Sequence, residues 1–374
     1  MTLPFWLDEP ALELPHRPLS ARADVAVVGG GITGCSCALA LARAGLAVRV
    51  HEAREIAAGA SGRNGGFALR GGAAPYDLAV QTMERDAARA FWRSTENALE
   101  RLAELGGDAV RRTGSLRLAA DETERDELRR EYEALRDDAF AADWVDELGP
   151  PLGGRFTGAI LHPQDAVLHP ARVVRRIAFA AADTGVELRE HDRIATTSDV
   201  DADAVVVATD GYPSGLLGRL EGLIVPTRGQ MIATEPIEER WFERPHYGRH
   251  GFDYWHQRED GRLLLGGFRD VDMTTEFTDR EETTSAIQEA LERFASDLVG
   301  RPLRVTHRWA GIFGLVPDLL PVVGRVPGDD RTWVAAGYSG HGNVLGFLCG
   351  ELVADAILGR PAPELALLDP ARLL

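Results

Sequence analysis

Three glycines near the start of the chain have a spacing that suits a tight turn around a phosphate group. Gly29, Gly31 and Gly34 form G-x-G-x-x-G. The first glycine permits the turn, the second lets the backbone approach a pyrophosphate, and the third lets a helix pack on a strand. Glu52, 18 residues after Gly34, could accept hydrogen bonds from ribose hydroxyls and disfavours a 2'-phosphate. The pattern, with Thr33 included, predicts a dinucleotide site for FAD or NAD rather than NADP.

The segments around these glycines predict a β-α-β unit. Residues 23–28 (ADVAVV) are a short apolar run typical of a buried parallel strand, and residues 32–44 predict a helix of small side chains that Gly45 ends. Residues 47–51 (AVRVH) predict the second strand. Parallel strands joined by a helix within about 30 residues are the first unit of a dinucleotide-binding fold.

The rest of the chain alternates between helical and strand patterns. Residues 75–135, rich in arginine and glutamate three and four apart, predict an inserted helical region. The other predicted elements are a helix at 171–184, strands at 186–189 and 203–208, antiparallel strands at 224–234, 251–256 and 261–267, a strand at 333–336 and a helix at 343–358. The order indicates that the chain leaves the first domain and returns to it.

Composition narrows the possible partners. The chain has 374 residues, of which 45% are hydrophobic, enough for two cores. Acidic residues outnumber basic ones by 58 to 41, which disfavours nucleic acid and anionic membranes as partners. The sequence contains no lysine, so chemistry that needs a lysine ammonium or Schiff base is excluded.

Cellular location and metal binding follow from other features. Residues 1–14 have acids and prolines where a secretory signal would be basic and then apolar, and no segment reaches the roughly 18 to 20 apolar residues of a membrane helix. We therefore expect a soluble, cytoplasmic protein. Its three cysteines predict buried small residues rather than disulfides. His246 and His250 lack further ligands, so no metal is expected.

Five separated motifs, taken together, resemble the superfamily of FAD-dependent amine and amino-acid oxidoreductases that includes D-amino-acid oxidase, glycine oxidase and sarcosine oxidase. The motifs are residues 27–34 (VVGGGITG) with Glu52, 60–67 (ASGRNGGF), 165–174 (DAVLHPARVV), 203–212 (DAVVVATDGY) and 335–357 (AAGYSGHGNVLGFLCGELVADAI). Within this superfamily, the motifs also resemble those of the gamma-glutamylputrescine oxidoreductase branch. The resemblance covers nearly the whole chain and implies FAD as the cofactor.

The resemblance also implies a fold and a domain division. The fold is an α/β FAD-binding Rossmann-type domain, glutathione-reductase-like, interleaved with an α+β substrate-binding domain that contains an antiparallel sheet. We expect the discontinuous FAD-binding domain to comprise 1–75, 155–222 and 311–374, and the substrate-binding domain to comprise 76–154 and 223–310.

The same resemblance extends the predicted cofactor site beyond the first glycine turn. Segment 60–67 is dense in glycines and in side chains that can bond phosphate or a flavin edge. The additional predicted cofactor residues are Ala60, Ser61, Arg63, Asn64, Gly65, Gly66, Ala208, Thr209, Gly211, Gly337, Gly340, His341, Gly342 and Asn343. We expect FAD to be non-covalent, because the cysteine used by sarcosine oxidase aligns with Gly311 and no histidine occurs in 54–74.

The reaction implied by the resemblance is hydride transfer from the carbon beside an amine nitrogen to the flavin, giving an imine that hydrolyses. The arginine that binds the substrate carboxylate in glycine oxidase-like proteins aligns with Phe313, so a primary or secondary amine is favoured. A small amino acid such as glycine, sarcosine or a D-amino acid is the alternative. Because sarcosine oxidase-like enzymes use a lysine in the reaction with oxygen, either oxygen or another electron acceptor remains open here.

Three residues are candidates for contact with the substrate. Strand alternation places Tyr254 and His256 on one face and Trp255 on the other. If that face covers the flavin, Tyr254 and His256 contact the substrate and His256 could accept the amine proton; otherwise both are ordinary half-buried sheet residues. His341 is either a flavin-edge contact or a packing residue.

Four arginines lie in the predicted strands and loops of the substrate domain. Arg228, Arg249, Arg258 and Arg269 are expected to be solvated surface cations, with Arg228 the best candidate for an exception.

Two other functions stay open. The first, an NAD-linked dehydrogenase, would leave the 60–67 and 337–342 segments without a role. The second is a subunit that retains FAD without catalysing a reaction; oligomeric state stays open.

Overall fold

The computed structural model describes residues 3–10 and 22–374. Residues 11–21, part of the predicted first domain and of the N-terminal stretch discussed above, lie outside the described part, as do residues 1 and 2. The strands are β1 (Ala23–Val28), β2 (Val48–His51), β3 (Phe67–Ala68), β4 (Val110–Arg112), β5 (Ser115–Ala119), β6 (Asp143–Val145), β7 (Gly158–His162), β8 (Ala166–Leu168), β9 (Glu187–Arg189), β10 (Ala202–Val207), β11 (Val225–Pro236), β12 (His246–Gly248), β13 (Asp253–Gln257), β14 (Arg262–Gly267), β15 (Val305–Leu315), β16 (Val322–Arg325) and β17 (Thr332–Ala336). The helices are α1 (Ile32–Arg43), α2 (Tyr76–Thr82), α3 (Arg85–Gly106), α4 (Glu122–Asp137), α5 (Pro170–Asp183), α6 (Ser285–Val299), α7 (Gly342–Ile357) and α8 (Leu365–Leu368).

A six-stranded sheet forms the nucleotide-binding half of the fold. Its order is β16-β17-β10-β1-β2-β9, and all neighbours are parallel except β16 and β17. The predicted β-α-β unit is confirmed as β1, α1 and β2. The central strands β1 and β10 are rich in valine and alanine and are largely buried, as expected for parallel strands covered on both faces. Their parallel direction brings the carboxyl ends of β1, β2 and β10 to one edge of the sheet.

Helices α1 and α7 pack closely on this sheet because glycines lie at their contact. A Cβ on Gly350 would come within 2.1 Å of the Ser36 Oγ and 2.4 Å of the Thr33 carbonyl oxygen. A Cβ on Gly346 would come within 2.8 Å of the Thr33 Oγ1. The N-terminus of α7, which begins at Gly342, therefore lies near the glycine turn that precedes α1.

An eight-stranded sheet forms the second half of the fold. Its order is β15-β11-β14-β13-β12-β5-β7-β6, and its neighbours are antiparallel except for β12 and β5. The predicted antiparallel strands are confirmed as β11, β13 and β14. Helix α6 covers one face, where Ile287 and Leu291 pack in one core cluster with Trp255. A smaller sheet has three strands in the order β3-β8-β4.

The prediction of one helical region over 75–135 was wrong between α3 and α4. Strands β4 and β5 interrupt it, and β5 joins the large sheet by pairing with β7 and β12. Gly107 and Gly114 turn the chain there with positive φ values of 51° and 68°. The alternation in SLRLA buries Leu118 completely, so strand pairing takes precedence over the helical charge pattern that surrounds it.

Strand pairing does not follow the expected domain boundaries everywhere. Strand β7 starts at Gly158 and pairs within the large sheet, although 155–222 was assigned to the FAD-binding domain. Strand β15 runs from Val305 to Leu315 across the expected boundary at 310. The division into two interleaved domains stays a prediction. Of the helices in the described residues, none is both long enough and apolar enough to cross a membrane.

Candidate cofactor cavity and active site

A cavity of about 590 Å³ lies at the carboxyl ends of β1, β2 and β10. In sheets of this type, ligands bind at that edge, where the loops after the strands meet. Several predicted cofactor residues line this cavity: Gly29, Gly31, Thr33, Glu52, Ala60, Ser61, Asn64, Ala208, Thr209, Gly340, Gly342 and Asn343. The fold thus brings together residues that are more than 300 positions apart in the chain.

The geometry of the glycine turn fits a bound diphosphate. Gly29 has a φ of 115°, and a Cβ there would lie 2.5 Å from the Ala208 carbonyl oxygen. A Cβ on Gly34 would lie 1.9 Å from the Gly29 carbonyl oxygen, so both positions require glycine. At Gly31 a Cβ would meet only Ser61, with its Oγ at 2.9 Å. The open side of Gly31 faces the cavity. Gly31 is the N-cap of α1, and the N–H groups at a helix N-terminus attract phosphate oxygens.

Glu52 holds this turn as well as lining the cavity. One carboxylate oxygen accepts a hydrogen bond of 2.7 Å from the Gly30 N–H, and the other accepts one of 2.8 Å from the Arg54 N–H. A carboxylate has about four lone-pair sites, so acceptor capacity remains for a ribose. Its place at the end of β2 agrees with the prediction, and its contact with a ribose stays a proposal.

A pair of asparagines connects segment 60–67 to the N-terminus of α7. The side chains of Asn64 and Asn343 exchange two hydrogen bonds of 3.1 Å. The Asn343 Nδ2 also donates to the Phe67 carbonyl oxygen at 2.7 Å. Two motifs that were predicted separately therefore form one continuous part of the cavity wall.

Seven predicted cofactor residues lie outside the cavity lining: Gly34, which packs against the Gly29 carbonyl as described above, and Arg63, Gly65, Gly66, Gly211, Gly337 and His341. The Arg63 guanidinium donates to the Ala58 and Ala310 carbonyl oxygens at 2.9 Å and 3.0 Å and forms an ion pair with Glu281 at 3.2 Å. Arg63 therefore holds the polypeptide around the cavity, and the geometry gives no support to its predicted direct contact with the cofactor.

The glycines in this group allow backbone contacts. A Cβ on Gly211 would lie 2.3 Å from the Phe313 carbonyl carbon, one on Gly66 2.6 Å from the Leu168 carbonyl oxygen, and one on Gly65 3.2 Å from the Tyr254 ring. The Gly337 N–H donates to an Asp210 carboxylate oxygen at 2.8 Å. Because they have no side chain, these glycines let the segments behind the cavity lining pack closely against their neighbours.

Sequence reasoning missed several residues of the cavity. Asp210 accepts from the Gly337 and Gly314 N–H groups, the latter at 3.1 Å, and so joins the loop after β10 to β15 and β17. Burial raises the pKa of Asp210, against the lowering effect of these hydrogen bonds. Arg54, Tyr212 and residues 279–282 also line the cavity. No local pattern distinguishes 279–282, because they come from a distant loop of the other half.

The predicted alternation in β13 is confirmed. The rings of Tyr254 and His256 both face Phe67, with ring centres 5.9 Å and 5.7 Å from it, whereas Trp255 packs against α6 on the other face. A Cβ placed on Gly229 would lie 3.6 Å from the Tyr254 hydroxyl and 3.8 Å from the Phe313 ring. Tyr254 thus lies beside Phe313, which lines the cavity. Burial raises the pKa of Tyr254 to about 12, so its hydroxyl stays neutral.

The two histidine candidates are poorly placed as bases. His256 is 1% exposed and borders a separate hollow of about 80 Å³ with Trp6 and Arg258. Burial lowers the pKa of His256 to about 3 and that of His341 to about 4. A base with so low a pKa accepts a proton weakly near neutral pH. The role of His256 as proton acceptor stays a prediction that this geometry does not support.

The expectation of solvated surface arginines was wrong for Arg228. It is 2% exposed and forms an ion pair with the buried Glu276 at 2.5 Å. Arg249 binds Asp253 and Asp270 at 2.6 Å and 2.8 Å. Arg258 and Arg269 are only half-buried and lie over aromatic rings, Arg269 at 4.9 Å from the centre of Phe252 and 5.7 Å from that of Phe313.

The parallel sheet, the glycine turn and the cavity at its edge define the class of protein as dinucleotide-binding. A family model described as FAD dependent oxidoreductase, DAO, matches residues 24–356. The chain belongs to this family of FAD-dependent oxidoreductases. The family confirms the sequence-based assignment of FAD, and the NAD-linked alternative loses its support. Within residues 3–10 and 22–374, no group of three or more histidine, cysteine, aspartate or glutamate side chains could hold a metal ion.

Curated relatives agree with this assignment, and a solved structure shares the fold. Glycine oxidase from Bacillus licheniformis is 28% identical over 91% of this chain and 94% of its own length. Gamma-glutamylputrescine oxidoreductase from Escherichia coli is 29% identical over 91% of this chain and 84% of its own length. The crystal structure of glycine oxidase from Geobacillus kaustophilus shares the fold, with a TM-score of 0.75, 24% identity, and coverage of 94% of this chain and 99% of that one.

Proposed function

We propose that the chain, with FAD bound, oxidises the C–N bond of a primary or secondary amine. The observation that carries this proposal is one cavity that runs from Glu52 and the glycine turn to Asn343 and Phe313. Its first end suits an adenosine diphosphate. Its other end is bordered by the large sheet, whose Tyr254 and Phe313 offer aromatic surface to a substrate.

The chain's own residues position and shield the reacting groups. Gly31 and the start of α1 would bind the diphosphate, Glu52 a ribose, and Gly342 with Asn343 the edge of the flavin. When bound, FAD supplies a two-electron acceptor for the hydride from the carbon beside the amine nitrogen, and the resulting imine hydrolyses. The N-terminus of α7 favours negative charge near it. The aromatic side chains of the large sheet exclude water from the substrate.

Arg269 favours a second candidate, an amine that also has a carboxylate. Among the described residues, no carboxylate forms an ion pair with its guanidinium and no acceptor receives a hydrogen bond from it; Asp270 is paired with Arg249 and Glu276 with Arg228. Burial lowers the pKa of Arg269, although Tyr254, Asp270 and Glu276 act to raise it. A half-buried cation beside Phe313 could bind an anion. Arg269 would then replace the clamp that the resemblance placed at position 313.

The test is anaerobic reduction of the purified holoenzyme by a panel of amines and amino acids. We expect loss of the flavin absorbance band with at least one amine, and a product carbonyl compound after hydrolysis. A panel that leaves the flavin oxidised would instead support a subunit that retains FAD without catalysis. Readmitting oxygen to the reduced protein then distinguishes an oxidase from an enzyme that uses another acceptor.

We also propose that the partners are a small-molecule amine and an electron acceptor, and that the chain has the two-domain division given above.

We further propose a cytoplasmic location. Cys35, Cys37 and Cys349 are free and buried, which is compatible with a reducing compartment. Cell fractionation tests the location directly: recovery with the soluble cytosolic fraction supports it, and recovery elsewhere contradicts it.

A further inference from the structure

One loop of the second half reaches across to the cofactor cavity. Residues 277–284, which we call the strap, connect the 3-10 segment Arg269–Glu276 to α6. Residues 279–282 line the cofactor cavity on one side and, except for Glu281, a hollow of about 700 Å³ on the other. The strap is therefore a thin wall between the cavity and this second, more open space.

Both ends of the strap are fixed to β11. Before it, Glu276 is paired with Arg228 at 2.5 Å. At its end, the Thr284 N–H donates to the Gln230 side-chain oxygen at 2.9 Å, and the Gln230 Nε2 donates to the Thr284 Oγ1 at the same distance. In the middle of the strap the contact with β11 is weaker: Arg228 lies 3.9 Å from the Glu282 carboxylate, and the side chains of Arg280 and Glu282 are 76% and 61% exposed.

Glu281 is the buried side chain in the middle of the strap, with 8% exposure. One of its carboxylate oxygens lies 2.8 Å from the Arg54 Nη1 and 3.2 Å from the Arg63 Nη2. Its other oxygen accepts a hydrogen bond from the Tyr212 hydroxyl. These partners come from the loop after β2, from segment 60–67 and from the loop after β10, which are three separate parts of the cofactor cavity wall.

We propose that Glu281 is a positioning residue that latches the strap over bound FAD and that release of this latch controls how fast FAD leaves. Ion-paired hydrogen bonds are about twice as strong as neutral ones. A single carboxylate that collects two guanidinium groups and a phenol therefore holds the middle of a strap whose ends stay attached. The proposal rests on FAD binding by this cavity and is independent of which substrate is oxidised.

The experiment compares the holoenzymes of Glu281→Gln and Glu289→Gln with the unmodified holoenzyme. Glu289 is the matched control, because its pairing with Arg293 at 3.8 Å is on the surface of α6. FAD release is measured as the rise of flavin fluorescence after dilution into flavin-free buffer. We expect release from Glu281→Gln to be roughly tenfold faster or more, as for loss of a charge-assisted hydrogen bond, and release from Glu289→Gln to be unchanged.

A second measurement separates latching from general destabilisation. Chymotrypsin cleaves after aromatic residues, and the exposed Phe277 lies in the strap away from the substituted position, so an open latch should increase cleavage after Phe277 in the Glu281→Gln holoenzyme. The Glu281→Asp variant, which keeps the charge, should partly restore slow release. Equal release rates and equal cleavage for Glu281→Gln and the unmodified protein would overturn the proposal. Fluorescence and cleavage are read without substrate, so failure of amine oxidation leaves this test intact.

Discussion

The carboxylate of Glu52 accepts a 2.7 Å hydrogen bond from the backbone N–H of Gly30, across the turn between β1 and α1. The acid at the end of the second strand therefore stabilises the glycine turn of the first strand. The sequence predicts the glycine turn and Glu52 as two separate contacts to a dinucleotide, whereas in the structure they are hydrogen-bonded to each other. It also means that a change at Glu52 should alter both cofactor binding and protein stability.

We expect Glu52→Ala to weaken FAD binding and to lower the free energy of unfolding by about 1–3 kcal/mol, because the buried Gly30 N–H loses its acceptor. Glu52→Gln keeps one acceptor oxygen and should be intermediate. FAD titration and urea unfolding measure the two effects. Unchanged affinity and stability in Glu52→Ala would show that the carboxylate does not hold the turn.

Gly31→Val should abolish FAD retention while the chain still folds. Its Cβ would come within 2.9 Å of the Ser61 Oγ, and its methyl groups would occupy space that the diphosphate needs. Gly149→Val is the control, because a Cβ there meets no atom within 4 Å. The FAD content of the purified proteins, read from absorbance after denaturation, checks the prediction. Normal content in Gly31→Val would mean that the phosphate site lies elsewhere.

Arg269→Met should affect carboxylate-containing substrates selectively. If Arg269 binds a carboxylate, kcat/KM for an amino acid should fall about 10- to 100-fold, the equivalent of one hydrogen bond to a charged group. The corresponding amine without the carboxylate should be little affected. Arg258→Met is the matched control, since Arg258 also lies over aromatic rings, Phe5 at 5.0 Å and Trp6 at 5.4 Å. An equal loss for both substrates would argue for a packing role.

Acid should destabilise the fold through His256. Burial lowers its pKa from 6.5 to about 3, so below pH 6.5 the unfolded chain binds a proton that the folded chain does not. The stability present above pH 6.5 is then lost as pH falls toward 3, by up to about 1.4 kcal/mol per pH unit. Urea unfolding from pH 7 to pH 4 tests this with His256→Phe, which should show a shallower decline, and with His250→Phe at an exposed position. A slope that His256→Phe leaves unchanged would contradict the assignment.

Gly350→Ala should destabilise the protein although alanine is the better helix former by about 1 kcal/mol. The new Cβ would lie 2.1 Å from the Ser36 Oγ and would push α7 away from α1, at a cost of about 1–3 kcal/mol. Gly72→Ala, whose Cβ would be at an ordinary 3.6 Å from Trp92, is the comparison. Thermal unfolding of both variants gives the answer; equal melting temperatures would mean that the helices adjust freely.

Much of the nucleotide-binding half could be predicted because its signals are local. The β-α-β unit follows from an apolar run, three glycines and a helix of small residues within one short segment. Strands β3 to β8, β12, β15 and β16 were not predicted. Most of them are short, and the long strand β15 pairs with β11, which is distant in the chain. The arginine-rich charge pattern on both sides of β5 is helical, and only pairing with β7 and β12 shows that SLRLA is a strand.

The candidate site divides in the same way. The sequence by itself determined the glycine turn, Glu52, the asparagine of each cofactor motif and the alternation of Tyr254 with Trp255, because dihedral preferences and residue periodicity act over a few residues. Only the tertiary structure decided that Arg63 pairs with Glu281, that His256 is buried away from the cavity, that Arg269 lies beside Phe313, and that residues 279–282 reach the cofactor cavity. Burial and charge pairing depend on which segments distant in the chain come into contact, and a local sequence pattern does not show those contacts.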